Sequence, residues 1–141
     1  MATERETLHA VLMASKSLTQ RINGALRGTG VTMTQLNALR ILRGAEPEPL
    51  ACGEVADRMM HPVPDITRLV DRLEKQGWVE RHRDAADRRI VRVRITQAGL
   101  RRLKGLDKRV ERMNRDLLGH LEKSERSTLI ALLERARGPK A

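Results

Sequence analysis

The sequence predicts a mainly α fold with one small β-hairpin (α+β), and three observations carry that prediction. Apolar residues recur at steps of three and four along most of the chain, the spacing of one helical face. After Gly77 the step changes to two, the alternation of a strand with one buried face. Glycine and proline fall between these stretches and cut them into pieces of ordinary element length.

In chain order, the first helix carries Leu8, Val11, Leu12, Leu18, Ile22, Ala25 and Leu26 on one face, and Gly28 and Gly30 stop it. Thr32-Met33-Thr34-Gln35 has the form of a capping box, in which hydroxyl and amide satisfy each other's free backbone donors. It opens a second helix with Leu36, Leu39, Ile41 and Leu42. Residues 44–49 are a loop by their glycine and proline content, and a short third helix runs from Cys52 to Met60 with Val55, Ala56 and Met59 inward. His61-Pro62-Val63-Pro64 interrupts the chain again. Pro64 suits the first turn of a fourth helix, where a missing N–H costs nothing. That helix runs to Gln76, buries Ile66, Leu69, Val70 and Leu73, and ends at Gly77. The strand-like runs 78–83 and 90–95 follow, joined by a polar connector of hairpin length. The second run places Val91, Val93 and Ile95 on one face with Arg92 and Arg94 on the other. Thr96 can cap a fifth helix with a heptad-like stripe at Leu103, Leu106, Val110, Met113 and Leu117, and Ser124 a sixth holding Leu129, Ile130, Leu132 and Leu133.

Composition narrows the function. The 141 residues suit one compact domain or one subunit of an intertwined oligomer, and leave no room for a separate catalytic module. Lys and Arg number 28 against 18 Asp and Glu, a formal charge of +10 that favours a polyanionic partner. One Trp, with no Phe or Tyr, gives no row of rings on which to stack single-stranded bases. Duplex DNA, read by phosphate contact and groove edges, fits better. The single cysteine, Cys52, forms no intrachain disulfide, the first residues are charged, and no apolar run approaches the length of a membrane span. The expectation is a cytoplasmic protein with no membrane partner.

Three short helices followed by a two-stranded hairpin is the layout of a winged helix-turn-helix, with residues 64–76 entering the major groove. If Ile66, Leu69, Val70 and Leu73 point inward, then Thr67, Arg68, Asp71, Arg72 and Lys75 point outward. An arginine fork at Arg68 or Arg72 can take both acceptors of guanine, and Thr67 can bond a base edge or phosphate. Asp65 can accept from a cytosine amino group, orient an arginine, or occupy the favourable field at the helix N-terminus. Pro64, Asp65, Thr67, Arg68 and Arg72 are therefore the candidate contacts of the reading helix. An ordinary solvated face, with pairs such as Asp71 and Lys75, competes with that reading. In the hairpin, Arg81, Arg83, Arg88, Arg89, Arg92 and Arg94 face only Asp84 and Asp87 within the segment. Arginines at the tip of such a ribbon can enter a narrow minor groove, although charge also keeps an edge ribbon soluble.

The runs Thr67-Arg68-Leu69-Val70-Asp71-Arg72-Leu73-Glu74, Gly77-Trp78-Val79-Glu80-Arg81, Asp87-Arg88-Arg89 and Val93-Arg94-Ile95-Thr96-Gln97-Ala98-Gly99 resemble the recognition helix and wing of the MarR family of bacterial transcriptional regulators. The resemblance extends in weaker form from Leu8 to Ala136. It implies a single domain over residues 1–141, with dimerisation helices at 1–30 and 97–141 around a DNA-binding winged helix-turn-helix at 31–96. It also implies an obligate homodimer on a pseudo-palindromic operator, and repression relieved by a small-molecule effector or an oxidant. Asp87 would brace the wing and Arg89 would meet the minor groove or a phosphate, with Arg88 beside it. The dimer has independent support, because a central segment of about 65 residues is marginal alone and the flanking helices carry apolar stripes that need a partner surface.

The remaining residues offer little other chemistry. Cys52 reads as a small buried residue or a thiol sensor, but the family's oxidation sensors carry their cysteine in the first helix, not near the start of the third. His9, His61, His82 and His120 include no pair at ligand spacing, so no metal or other cofactor is expected. No nucleophile elbow, phosphate-binding loop or zinc-protease motif is present, and no catalytic residue is assigned. Two readings stand beside the regulator: an architectural DNA binder without sequence choice, and a basic helical module that binds an acidic protein through Arg101, Arg102, Lys104, Lys108, Arg109, Arg112 and Arg115.

Overall fold

The structure, a computed structural model, describes residues 1–139. Its elements are α1 (Glu4–Ala25), α2 (Met33–Ala45), β1 (Leu50–Ala51), α3 (Cys52–Arg58), α4 (Ile66–Lys75), β2 (Val79–Arg83), β3 (Val91–Ile95), α5 (Gln97–Leu118) and α6 (Lys123–Ala136). The chain divides into two compact units, Ile22–Lys108 and Met1–Arg21 together with the chain from Arg109 on.

The Ile22–Lys108 unit is built on the residues whose spacing marks an inner face. Leu36, Leu39 and Leu42 of α2, Val55 of α3, Leu69, Val70 and Leu73 of α4, Val79, Val93 and Ile95 of the strands, and Leu103 and Leu106 of α5 are all buried. Ile66, in the first turn of α4, is only half-buried. Burying a side chain of this size contributes about 1.5–3 kcal/mol each, against which the loss of chain entropy works. The hairpin is one part of a three-stranded antiparallel sheet in the order β1-β3-β2. Leu50 stands opposite Val93, and Val79 opposite Ile95. Two residues of β1 are too few to show alternation, so the segment after the Pro49 loop carries no strand signal in the sequence.

Capping fixes where the helices begin. The Thr32 hydroxyl accepts from the Gln35 N–H at 3.1 Å while the Gln35 side chain accepts from the Thr32 N–H at 3.0 Å, the reciprocal pair expected. Two starts differ from expectation. Asp65 accepts from the Arg68 N–H at 3.1 Å and takes the N-cap of α4, so Pro64 lies two residues before the first helical residue, Ile66, and not in the first turn. At α6, the Glu125 carboxylate accepts from the Glu122 N–H at 2.8 Å, which starts that helix before Ser124. Gly28, Gly30 and Gly77 adopt φ of 82°, 78° and 77°, the left-handed conformation that ends α1, turns the chain toward α2, and ends α4.

The start of α5 is locked to the strand ends. The Thr96 hydroxyl donates to the Gly77 carbonyl at 2.6 Å and accepts from the Gly99 N–H at 3.1 Å. The Arg102 guanidinium lies 5.7 Å from the centre of the Trp78 ring and donates to the Thr29 carbonyl. Gly99 passes so close to this corner that a Cβ there would lie 2.3 Å from the Trp78 carbonyl oxygen and 2.7 Å from Ile95 Cγ1.

In the other unit, Val110, Met113 and Leu117 of α5 are buried and the Arg21 guanidinium donates to the Asp116 carbonyl at 3.3 Å. Neither α1 nor α6 has a buried residue. Leu8, Leu12, Ile130 and Leu132 remain 60%, 59%, 61% and 55% exposed. Among the described residues no helix is long and apolar enough to cross a membrane.

Gly99→Ala forces the added methyl against backbone that cannot rotate away. Urea denaturation is expected to show a loss of about 2 kcal/mol or more, whereas Gly105→Ala, with open space around its Cα, costs nothing.

Candidate nucleic-acid interface

The outer face of α4 is set by its inner one. With Leu69, Val70 and Leu73 buried, Thr67, Arg68, Arg72 and Lys75 are exposed. Among the described residues neither Arg68 nor Arg72 enters an ion pair. Both line an open groove with Thr32, Thr34, Gln35, Pro64 and Asp65, so the start of α2 and the start of α4 share one surface. The turn before α4 is held in place by Asn37, whose side-chain oxygen accepts from the Met60 N–H at 2.8 Å. Pro64, Asp65, Thr67, Arg68 and Arg72 thus come together, with the Asp65 carboxylate engaged by the helix it caps.

The ribbon separates its six arginines into two groups, and this departs from the sequence reading. Arg92 pairs with Asp84 at 3.2 Å and with Glu54 of α3 at 3.3 Å. Arg94 meets Glu46, at the end of α2, at 3.1 Å. Arg81 lies 2.6 Å from Asp71 and 2.9 Å from Glu74 of α4. Four acids from outside the hairpin therefore oppose arginines that local sequence leaves unopposed, and Asp71 pairs with Arg81 instead of Lys75. Arg83, Arg88 and Arg89 remain exposed at the far end, with the Arg89 side chain 91% exposed.

Two carboxylates order that end. Asp87 accepts from the Arg89 N–H and Nε at 3.1 Å each and from Nη2 at 3.2 Å, which orients the guanidinium from its own loop. Asp84 accepts from the Ala86 and Asp87 N–H groups at 3.1 and 2.9 Å and from Arg92 Nε at 3.2 Å, tying the loop to β3. Asp84 was assigned no such part by the sequence, although an Asp followed by two turn residues is a signal for that side-chain turn. The Asp87 N–H and Arg92 hold the Asp84 carboxyl below the ordinary Asp range, and Arg89 does the same for Asp87. Arg83 Nη1 donates to the Arg88 carbonyl at 2.9 Å and closes the loop from the other side.

Cys52 is half-buried beside this framework. Burial pushes its thiol up, outweighing the nearby Arg81 charge, which disfavours the thiolate a sensor needs. Trp78 is packed against Arg102 and is not a free stacking surface.

A helix-turn-helix of α3 and α4 followed by an arginine-tipped sheet ribbon defines a winged-helix protein. A MarR family sequence profile matches residues 29–90. The chain is 35% identical to a MarR transcription factor from Planctomyces limnophilus, with a TM-score of 0.73 over 95% of this chain and 97% of that one. It is 26% identical to a single-site mutant of MarR from E. coli complexed with operator DNA, with a TM-score of 0.81 over 91% of each. Over 87 residues, 62% of this chain and 49% of its relative, it is 33% identical to the transcriptional repressor MprA of Escherichia coli. The chain spans 49% to 65% of the length of the first curated relatives it matches. It belongs to the MarR family of transcriptional regulators.

Because both wing carboxyls are depressed in the folded chain, their ordering of the loop is fully present above the unfolded Asp value near 4 and is lost as pH falls through the depressed folded values. Amide hydrogen exchange is expected to show Ala86 and Asp87 protected at neutral pH and deprotected in Asp84→Ala, which removes the acceptor, with β3 amides unchanged.

Proposed function

We propose that the chain is a homodimeric repressor that binds a pseudo-palindromic duplex DNA operator and is modulated by a small effector. The observation that carries the DNA reading is the separation of charge: the framework acids neutralise Arg81, Arg92 and Arg94, while among the described residues Arg68 and Arg72 on α4 and Arg88 on the ribbon enter no ion pair, and Arg89, held by Asp87 through Nε and Nη2, still presents Nη1 from a side chain that is almost fully exposed. Thr67, Arg68 and Arg72 read base edges in the major groove, with Asp65 holding the helix start and Pro64 directing the chain into it. Arg89, oriented by Asp87 and flanked by Arg88, meets the minor groove or its phosphates. The solved structure of the E. coli MarR mutant with operator DNA supports this reading, and the repressor MprA supports the sign of regulation.

The dimer rests on α1 and α6, whose apolar residues lie uncovered in the single chain. A twofold pair places two reading helices about one helical turn apart on DNA. An effector acts by preferring one spacing of those helices over the other.

Selection of duplexes from a random pool is expected to return an inverted repeat bound more tightly than random duplex, with affinity falling steeply as salt rises. Equal affinity for both would leave only the architectural reading. Arg68→Ala or Arg72→Ala should reduce discrimination between sequences by about 1–3 kcal/mol, while Arg89→Ala should weaken selected and random duplexes by similar factors. Sedimentation is expected to give a dimer that Ile130→Glu together with Leu132→Glu converts to monomer.

A further inference from the structure

Between α4 and β2 the chain has only Gln76, Gly77 and Trp78, and the middle one is a glycine at φ 77°. The Trp78 N–H donates to the Leu73 carbonyl at 3.0 Å, which closes the turn but sets little of the angle beyond it. Beneath the angle lies the buried apolar packing of α4 and the strands, and on its outer side, among the described residues, one side chain makes the polar contacts that span it. Arg81, at the centre of β2 opposite Val93, reaches back with Nη2 to Asp71 and Glu74, which lie one helical turn apart on α4. Its side chain is 27% exposed, against 91% for Arg89. A guanidinium opposed by two carboxylates presents no net positive charge to a phosphate. Ion pairs this exposed stabilise a fold only slightly, so the consequence of the cluster lies in geometry rather than in folding energy.

We propose that Arg81 is a positioning residue that sets the angle between α4 and the β2–β3 ribbon, and so decides where Arg89 lands on the duplex that Arg68 and Arg72 read. The inference rests on the duplex-DNA reading above. Arg81 joins the two contact surfaces through Asp71 and Glu74: without it the ribbon, still held at its base by β1, Arg92 and Arg94, loses its tie on the α4 side, and its tip shifts relative to the reading helix.

The test is a double-mutant cycle on the duplex selected by the wild-type chain, with thermal unfolding to confirm that each variant is folded. Arg81→Gln is expected to bind about tenfold more weakly, a coupling of the size that residues in one network show. In that background Arg89→Ala should cost less than about twofold, because the misplaced tip has already lost its contact. Arg81→Lys, which offers a compact cation, should recover only part of the affinity. Independent, multiplying effects of Arg81→Gln and Arg89→Ala would overturn the inference while leaving the DNA reading intact. Removing the acids as well, in Asp71→Asn, Glu74→Gln, Arg81→Gln, separates angle from charge. This triple variant should stay weak, and recovery of wild-type affinity would show that Arg81 merely screens two carboxylates from DNA. If the wild-type chain retains no duplex at low salt, the DNA reading fails and the inference with it.

Discussion

The constraint on which this structure turns is the matching of acids to a cationic ribbon. Six arginines lie between positions 81 and 94, and like charges on facing strands weaken the pairing unless they are opposed. Glu54, Asp71 and Glu74 of two helices, with Glu46 at the end of a third, neutralise the arginines near the sheet base. Those contacts are partly exposed and individually weak. Their collective effect is to leave positive charge at two places, the outer face of α4 and the ribbon tip, where an outside polyanion can reach it.

Below that electrostatic layer lies an ordinary apolar one. Val79, Val93 and Ile95 turn one face of the sheet inward and Leu69, Val70 and Leu73 turn α4 inward, so the polar faces of both are fixed by the pleat and the helical period. Gly99 permits the close approach of α5 to the Trp78 corner, and Thr96 bonds across it. The outward cationic surface is thus a by-product of how the core closes.

Much of this was legible in the sequence because it depends on local rules. The capping box at Thr32, the left-handed stop at Gly77, the change of period at Trp78 and the stripe from Leu103 to Leu117 each follow from a few adjacent residues. What was not legible depends on pairing between distant segments. The strand β1 exists because Leu50 meets Val93, and the loss of Arg81, Arg92 and Arg94 from the outward set depends on acids that lie 7 to 48 positions away in the chain. Pro64 stands between these cases: proline's preference for a helix start was right to within two residues, but Asp65 had the better cap chemistry.

The central claim is that the two exposed cationic surfaces address one face of duplex DNA. Hydroxyl-radical footprinting on a selected duplex tests it most directly. The account predicts discrete protected patches one helical turn apart, with further protection in the flanking minor grooves that disappears with Arg89→Ala. Uniform protection along the duplex, or protection unchanged by loss of Arg68, Arg72 and Arg89 together, would contradict it.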